Sequence, residues 1–242
     1  MIRHQAAEPA FKRALRLLQQ YKPDDPHIVV VLSNLGALHT QIGNYKQART
    51  DLRQALDFAG KWLPSDDPDL VPLLTNFAAL YQRQKKWALA ESYLLRAAQI
   101  AEHSLRPDHP DRGLVLEHLG VVHYRQGKLD QAEMELRGAL DIMRGALGME
   151  SFRSVGVSLT LAKVLTTERR YDEARILYSE VLPVQERLFG PKAPEVAATL
   201  ERFASLLHTM KNREPADELE ARARRIRAEL AYTRSVADGL RW

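Results

Sequence analysis

The sequence repeats itself with a period of 42 residues, and this internal period restricts the chain to repeat architectures. Proline recurs at one position of the period, at Pro26, Pro68, Pro110 and Pro194, with Phe152 in the fourth copy. A small residue recurs at another position, at Gly36, Ala78, Gly120, Ala162 and Ala204. Twelve positions later the residue is always alanine, at Ala48, Ala90, Ala132, Ala174 and Ala216. We therefore expect stacked copies of one supersecondary unit.

Each copy is predicted to contain two helices. In the first copy, Leu32, Leu35, His39 and Ile42 follow one another at three- and four-residue steps, which is the apolar stripe of an amphipathic helix. Gly43 and Asn44 then interrupt the pattern, as does Gly127 in the third copy. A second stripe follows, at Tyr45, Ala48, Leu52, Ala55, Phe58 and Ala59. No segment alternates as a strand does, so the predicted fold is all-α.

Two features of these helices predict packing. The small column indicates that two helices cross closely, so Gly36→Leu is expected to cost about 1–3 kcal/mol through overpacking. Aspartate precedes the recurring proline in the first two copies, at Asp25 and Asp67. This order is typical of an N-cap followed by proline in the first turn of a helix. His39 and His123 lie in one column of the repeat and are interpreted as packed repeat residues.

Composition excludes several classes of function. The chain has no cysteine, so it has no disulfide framework, thiolate metal site or cysteine nucleophile. Its eight histidines are scattered without metal-ligand spacing, and no phosphate-binding glycine motif is present. We therefore expect no enzymatic activity, no metal and no cofactor. No apolar run reaches the roughly 20 residues that cross a bilayer, and no secretory signal is recognisable. We expect a cytoplasmic protein that has no membrane partner.

The repeat columns resemble those of the tetratricopeptide repeat (TPR) family. The first copy matches the family pattern at Leu32, Leu35, Gly36, His39, Ala48, Leu52 and Ala55. The 42-residue period, residues 31–39 and 73–81, and the linker at 106–111 are similar to the kinesin-light-chain subtype. The resemblance implies a TPR α-solenoid, a right-handed superhelix of antiparallel helix pairs. For function it implies a protein-interaction scaffold and no catalysis.

The periodicity predicts five full repeats and one additional helix. The repeats are expected at residues 25–66, 67–108, 109–150, 151–192 and 193–231, the last as a C-terminal capping repeat, followed by a tail at 232–242. Ala7, Phe11 and Ala14 match second-helix columns, so residues 1–24 are interpreted as the orphan second helix of a preceding repeat. Either the array continues upstream or this helix caps it, and we favour the first.

The resemblance also implies a binding surface. First helices line the concave side of such solenoids, and Asn34 and Asn76 match positions whose asparagines grip a bound peptide backbone. Tyr124 is the best aromatic anchor, since exposed tyrosine is enriched at interaction hot spots. Arg83, Arg125 and Lys163 would form a basic strip that favours an acidic segment. The candidate partner-binding residues are Asn34, Gln41, Asn76, Arg83, His118, Tyr124, Arg125 and Lys163.

Three functions stay open. The leading prediction is a scaffold that binds a peptide or helical segment of a protein partner in its groove, with the strongest grip across repeats one to three. The alternative is a sensor domain of a larger signalling protein that binds a small peptide or ligand. Nucleic-acid binding rests only on a pI near 9.3 and is the weakest, because the 35 basic residues are interspersed with 31 acidic ones. The family's chaperone-tail clamp is not expected, since only Asn76 fits among Ser33, Ala37, Asn76, Leu114 and His118.

Overall fold

The computed structural model describes residues 2–148 and 150–239, and all regular structure in this part of the chain is helical. Consecutive helices form antiparallel pairs, which confirms the all-α repeat fold. The helices are α1 (Ile2–Tyr21), α2 (His27–Gln41), α3 (Tyr45–Trp62), α4 (Leu70–Arg83), α5 (Trp87–Ser104), α6 (Pro110–Gln126), α7 (Leu129–Leu147), α8 (Phe152–Thr167), α9 (Tyr171–Phe189), α10 (Pro194–Thr209) and α11 (Arg213–Gly239).

The first helix of each repeat begins where the proline column predicts. Asp25 Oδ1 accepts from the backbone N–H of His27 at 2.9 Å, and Asp67 Oδ1 accepts from that of Asp69 at 2.9 Å. In the fourth repeat Ser151 Oγ accepts from the N–H of Ser154 at 3.1 Å. Each side chain satisfies a backbone donor that a helix start leaves free. The N-cap residues of α2 and α4 are Pro26 and Asp69, so the N-caps predicted at Asp25 and Asp67 are wrong by one or two positions, and each aspartate lies just before the helix.

The turn within each repeat uses a left-handed residue at one repeat position. Gly43 and Gly127 occupy it with φ values of 81° and 78°. Lys85, Arg169 and Lys211 occupy the same position in the other repeats with φ values of 58°, 64° and 63°. Side chains other than glycine are disfavoured there. A cation at the C-terminal end of a helix is favoured by the helix dipole, which offsets part of that cost.

The chain divides into two compact units, residues 1–142 and 143–242. In the first unit a continuous core of leucine, valine and alanine from α2 to α6 includes Leu52, Phe77 and Leu94. Leu15 and Leu18 of α1 pack against it. In the second unit α10 and α11 bury Val196, Leu200 and Ile226.

The small column marks a close approach of two helices, as the sequence predicts. A Cβ atom on Gly36 would lie 2.5 Å from Leu52 Cγ, and one on Gly120 would lie 2.6 Å from Leu136 Cγ. Both leucines are fully buried. The first and second helices of repeats one and three therefore touch where the glycine leaves space.

The last helix is longer than the period predicts. Helix α11 continues to Gly239, whereas the periodicity places the end of the fifth repeat at Ala231. The remaining tail residues, including Leu240 and Trp242, lie outside the described residues. Within the described part of the chain, no helix combines the length and apolarity required to cross a membrane.

Candidate functional site

The first helices of repeats one to three lie side by side in the first unit. Helix α4 packs directly against both α2 and α6. The sides of these three helices that are not covered by α3 and α5 form a surface that we call the first-helix face. Seven of the predicted binding residues lie on α2, α4 and α6: Asn34, Gln41, Asn76, Arg83, His118, Tyr124 and Arg125. The eighth, Lys163, is an exposed residue of α8 in the second unit.

Asn76 is held by the preceding repeat. Its Nδ2 donates to Ser33 Oγ at 2.9 Å and to the Ser33 carbonyl at 3.3 Å. Ser33 is buried and Asn76 is half-buried, so the amide has one orientation. The donor of Asn76 thus serves the junction between repeats, and its Oδ1 is the atom suited to a partner's N–H. Asn34, one residue after Ser33, is exposed.

His118 is also used between repeats. The Gln82 side chain donates from Nε2 to the His118 carbonyl at 3.1 Å, and its Oε1 lies 3.1 Å from His118 Nδ1. The side chain of Gln82 therefore bridges both the backbone and the ring of the next first helix. In the polar column Asn34, Asn76 and His118, the last two residues therefore form hydrogen bonds between neighbouring repeats. The pattern within one repeat does not predict these bonds.

The basic residues of the face differ in their surroundings. Arg83, the last residue of α4, is exposed. The guanidinium of Arg125 lies 5.8 Å from the centroid of the Trp87 ring, a cation–π arrangement that directs it toward the start of α5. Tyr124 is half-buried beside it. The cationic end of the face is therefore formed by Arg83 together with a partly immobilised Arg125.

A second polar feature lies inside the first unit, behind this face. His39 is buried between two carboxylates on neighbouring helices. Its Nδ1 lies 2.5 Å from Asp51 Oδ2 of α3, and its Nε2 lies 3.5 Å from Glu8 Oε1 of α1. Gln47 donates to the other Asp51 oxygen at 2.8 Å. The imidazole therefore links three consecutive helices.

The same arrangement recurs two repeats later. His123 Nδ1 lies 2.7 Å from Glu135 Oε2, and His123 Nε2 lies 3.0 Å from Glu91 Oε1. Hydrogen bonds from Gln126 and Lys128 lower the pKa of Glu91 to about 2. Burial raises the pKa of Glu135 above its ordinary value, against the opposing effect of His123. Because each ring nitrogen of His123 faces one carboxyl group, removing the imidazole or either acid leaves a buried or half-buried polar group without that partner.

Two columns of the repeat mark these clusters in the sequence. The histidine column reads His39, Tyr81, His123, Leu165 and Leu207, and the column twelve residues later reads Asp51, Tyr93, Glu135, Leu177 and Leu219. The two columns change together: where the first has histidine the second has an acid, where the first has tyrosine the second has tyrosine, and where the first has leucine the second has leucine. The rings of Tyr81 and Tyr93 are stacked with centroids 5.6 Å apart. The prediction that both histidines are packed repeat residues is confirmed, since their side chains are 4% and 5% exposed.

The fold has solved relatives. BtubC (BKLC) from P. vanneervenii is 21% identical with a TM-score of 0.80, and the match covers 95% of this chain and 91% of that one. A putative kinesin light chain from Podospora anserina with nearly identical TPR-like repeats is 22% identical with a TM-score of 0.71, covering 85% of this chain and 98% of that one.

A third structure, YrrB, is described as a TPR protein with an unusual peptide-binding site. It is 16% identical with a TM-score of 0.56, and the match covers 88% of this chain and 92% of that one. At these identities the likeness shows the fold alone. A comparison with curated protein sequences gives no match.

The family model supplies the assignment. The tetratricopeptide repeat model matches residues 3–61, 69–145 and 154–229, which is most of the chain. The matched segments fall on helices α1 to α3, α4 to α7 and α8 to α11. The chain belongs to the tetratricopeptide repeat family, and its structural neighbours include proteins of the kinesin-light-chain type.

Proposed function

We propose that the first unit binds a peptide or helical segment of a protein partner on its first-helix face. TPR domains are in general protein- or peptide-binding scaffolds and are typically non-catalytic. The observation that carries the proposal here is the contiguity of α2, α4 and α6, because three consecutive first helices present one polar and partly exposed surface. YrrB, a structural neighbour, is described as a TPR protein with an unusual peptide-binding site.

The chemistry of the face suits a main chain with acidic side chains at one end. Asn34 is exposed, and the side chain of Asn76 is fixed by Ser33 with its Oδ1 suited to accept a hydrogen bond. An amide both donates and accepts, so it can bind an extended backbone of any sequence. Arg83 lies at the C-terminal end of α4, where it favours an acidic group. Whether Lys163 extends this basic end remains a prediction.

We expect Asn34→Ala combined with Arg83→Ala to weaken peptide binding by about tenfold or more, equivalent to about 1.4 kcal/mol. The two residues are exposed, so the melting temperature should not change. The measurement is fluorescence anisotropy with a peptide selected against the wild-type chain from a random display library. Asn76 is kept intact because its substitution would also remove the bonds to Ser33.

A matched control removes the same types of group from the other side of the repeat. Arg53→Ala combined with Gln54→Ala changes two exposed residues of α3, a second helix. This control should bind the peptide as the wild type does. Equal losses in both variants, or no loss in the first, would show that the peptide binds elsewhere.

A further inference from the structure

A polar recess lies between the last two helices of the described chain, in the second unit. It has a volume of about 530 Å³ and is lined by Glu201, Ala204, Ser205, His208, Thr209 and Glu220. His208 is in the last turn of α10, and Asp217 and Glu220 lie one turn apart near the start of α11. His208 and Glu220 line the recess, and Asp217 lies beside His208, so one imidazole and two carboxylates from two helices come together here.

The ligating atoms of these three side chains converge. His208 Nε2 lies 3.7 Å from Asp217 Oδ1 and 3.8 Å from Glu220 Oε2. One nitrogen or oxygen from each residue lies within 4.8 Å of the other two. In a tetrahedral zinc site with bonds of roughly 2.0–2.2 Å, ligand atoms are about 3.3 Å apart. The two distances from His208 exceed this value by about half an ångström, and all three side chains are exposed and can change rotamer to close around an ion.

The position of Glu220 in the repeat is a second, independent indication. The same column holds Leu52, Leu94, Leu136 and Tyr178 in the four preceding repeats. Each of these residues is buried against its own repeat, with at most 3% exposure. The fifth repeat therefore places a carboxylate where the others place an apolar side chain, facing Ala204 and His208 across the recess. A glutamate at this position cannot form the apolar contacts that the other four repeats have there. Its carboxylate instead lies 3.8 Å from the imidazole of His208.

The other carboxylate that lines the recess, Glu201, has a different partner. Glu201 accepts two hydrogen bonds from the guanidinium of Arg227, at 3.0 and 3.2 Å. This pairing lowers the pKa of Glu201. Glu201 is thus neutralised by an arginine, whereas the carboxylates of Asp217 and Glu220 face the imidazole of His208.

We propose that His208, Asp217 and Glu220 bind a divalent transition-metal ion, with Zn²⁺ as the ion whose preferred nitrogen and oxygen ligands and geometry match this set. Three protein ligands leave a fourth position for water or for a side chain of a partner. The ion ties the end of α10 to the start of α11, and it replaces with coordination bonds the packing that leucine provides in repeats one to three. A metal-ligand motif within one helix does not include this set, because His208 lies on α10 whereas Asp217 and Glu220 lie on α11.

Isothermal titration of the chelator-treated chain with zinc chloride tests the proposal. We expect one Zn²⁺ per chain with saturable binding. Glu220→Leu, which restores the residue of repeats one to three, and His208→Ala should each weaken binding at least tenfold. Glu220→Leu should melt no lower than the wild type without zinc, because leucine is the packed residue of this column. Zn²⁺ should raise the melting temperature of the wild type but not that of Glu220→Leu.

A control on the same helix separates a site from general attraction to acids. Glu218→Gln removes an exposed carboxylate of α11 outside the ligand set and should bind Zn²⁺ as the wild type does. Titration with Co²⁺ provides a second readout, since a low-symmetry nitrogen and oxygen site gives visible absorption that the two ligand variants should lose. Binding by Glu220→Leu within twofold of the wild type, or an equal loss in Glu218→Gln, overturns the proposal. Failure of the wild type to saturate overturns it as well.

Discussion

Replacing His123 by leucine is expected to lower the free energy of unfolding by about 1–3 kcal/mol, the cost of leaving a buried polar group without its hydrogen-bond partner. The side chain of Glu135 is only 11% exposed and would lose the partner that faces its Oε2 at 2.7 Å. Glu91 would keep its bonds from Gln126 and Lys128, at 2.7 and 2.8 Å. The cost therefore arises mainly from a desolvated carboxylate at Glu135. Urea denaturation followed by circular dichroism measures it.

The internal repeat supplies the compensating variant. The fourth repeat has Leu165 and Leu177 at the positions of His123 and Glu135. Combining His123→Leu with Glu135→Leu should return the stability to within about 1 kcal/mol of the wild type, because replacing both partners of a buried hydrogen bond by apolar side chains costs little. His103→Leu, at an exposed position on α5, should change it by no more than about 0.5 kcal/mol. A double variant less stable than His123→Leu would contradict the proposed coupling.

The second large effect is expected at the small column. Gly36→Ala should destabilise the first unit by about 1–3 kcal/mol, as overpacking of a dense core does. The new Cβ would lie 2.5 Å from Leu52 Cγ, 2.6 Å from Leu52 Cδ2 and 3.3 Å from the Ala48 carbonyl oxygen. Because Leu52 is fully buried, it cannot move aside without displacing its neighbours. This cost outweighs the gain of about 1 kcal/mol that alanine brings to a helix interior.

The same substitution elsewhere in the chain should have the opposite sign. Gly60 lies within α3, is exposed, and has no atom within 4 Å of the position that a Cβ would take. Gly60→Ala should therefore raise the free energy of unfolding by up to about 1 kcal/mol. Thermal denaturation of the two variants side by side distinguishes packing from helix propensity. Equal effects of one sign would show that the close approach at Gly36 is not the cause.

Most of the fold follows from the sequence because the period repeats each local signal. The alanine column at Ala48, Ala90 and Ala132 and the glycines at Gly36 and Gly120 locate the helix crossings, and the structure places these residues in buried contacts. The period does not determine which residue type occupies every turn. Glycine at Gly43 and Gly127 marks the turn, yet Lys85, Arg169 and Lys211 adopt the same left-handed backbone. A turn rule based on glycine alone misses these three.

The candidate site was predictable only in part. The sequence placed Asn34, Asn76 and His118 on one face, because a helical period assigns residues to faces. It did not show that Asn76 donates to Ser33 or that Gln82 bridges to His118. Those bonds join residues of different repeats, and their formation depends on how one first helix lies against the next. The periodicity within a single copy carries no information about that contact.

Photo-crosslinking of the selected peptide tests the central claim most directly. A photoreactive amino acid is placed at Gln41, an exposed residue of α2 on the first-helix face, and in a second variant at Leu95, an exposed residue of α5. Peptide binding on the first-helix face predicts a crosslink from position 41 that unlabelled peptide competes away, and none from position 95. A competed crosslink from position 95 without one from position 41 would contradict it.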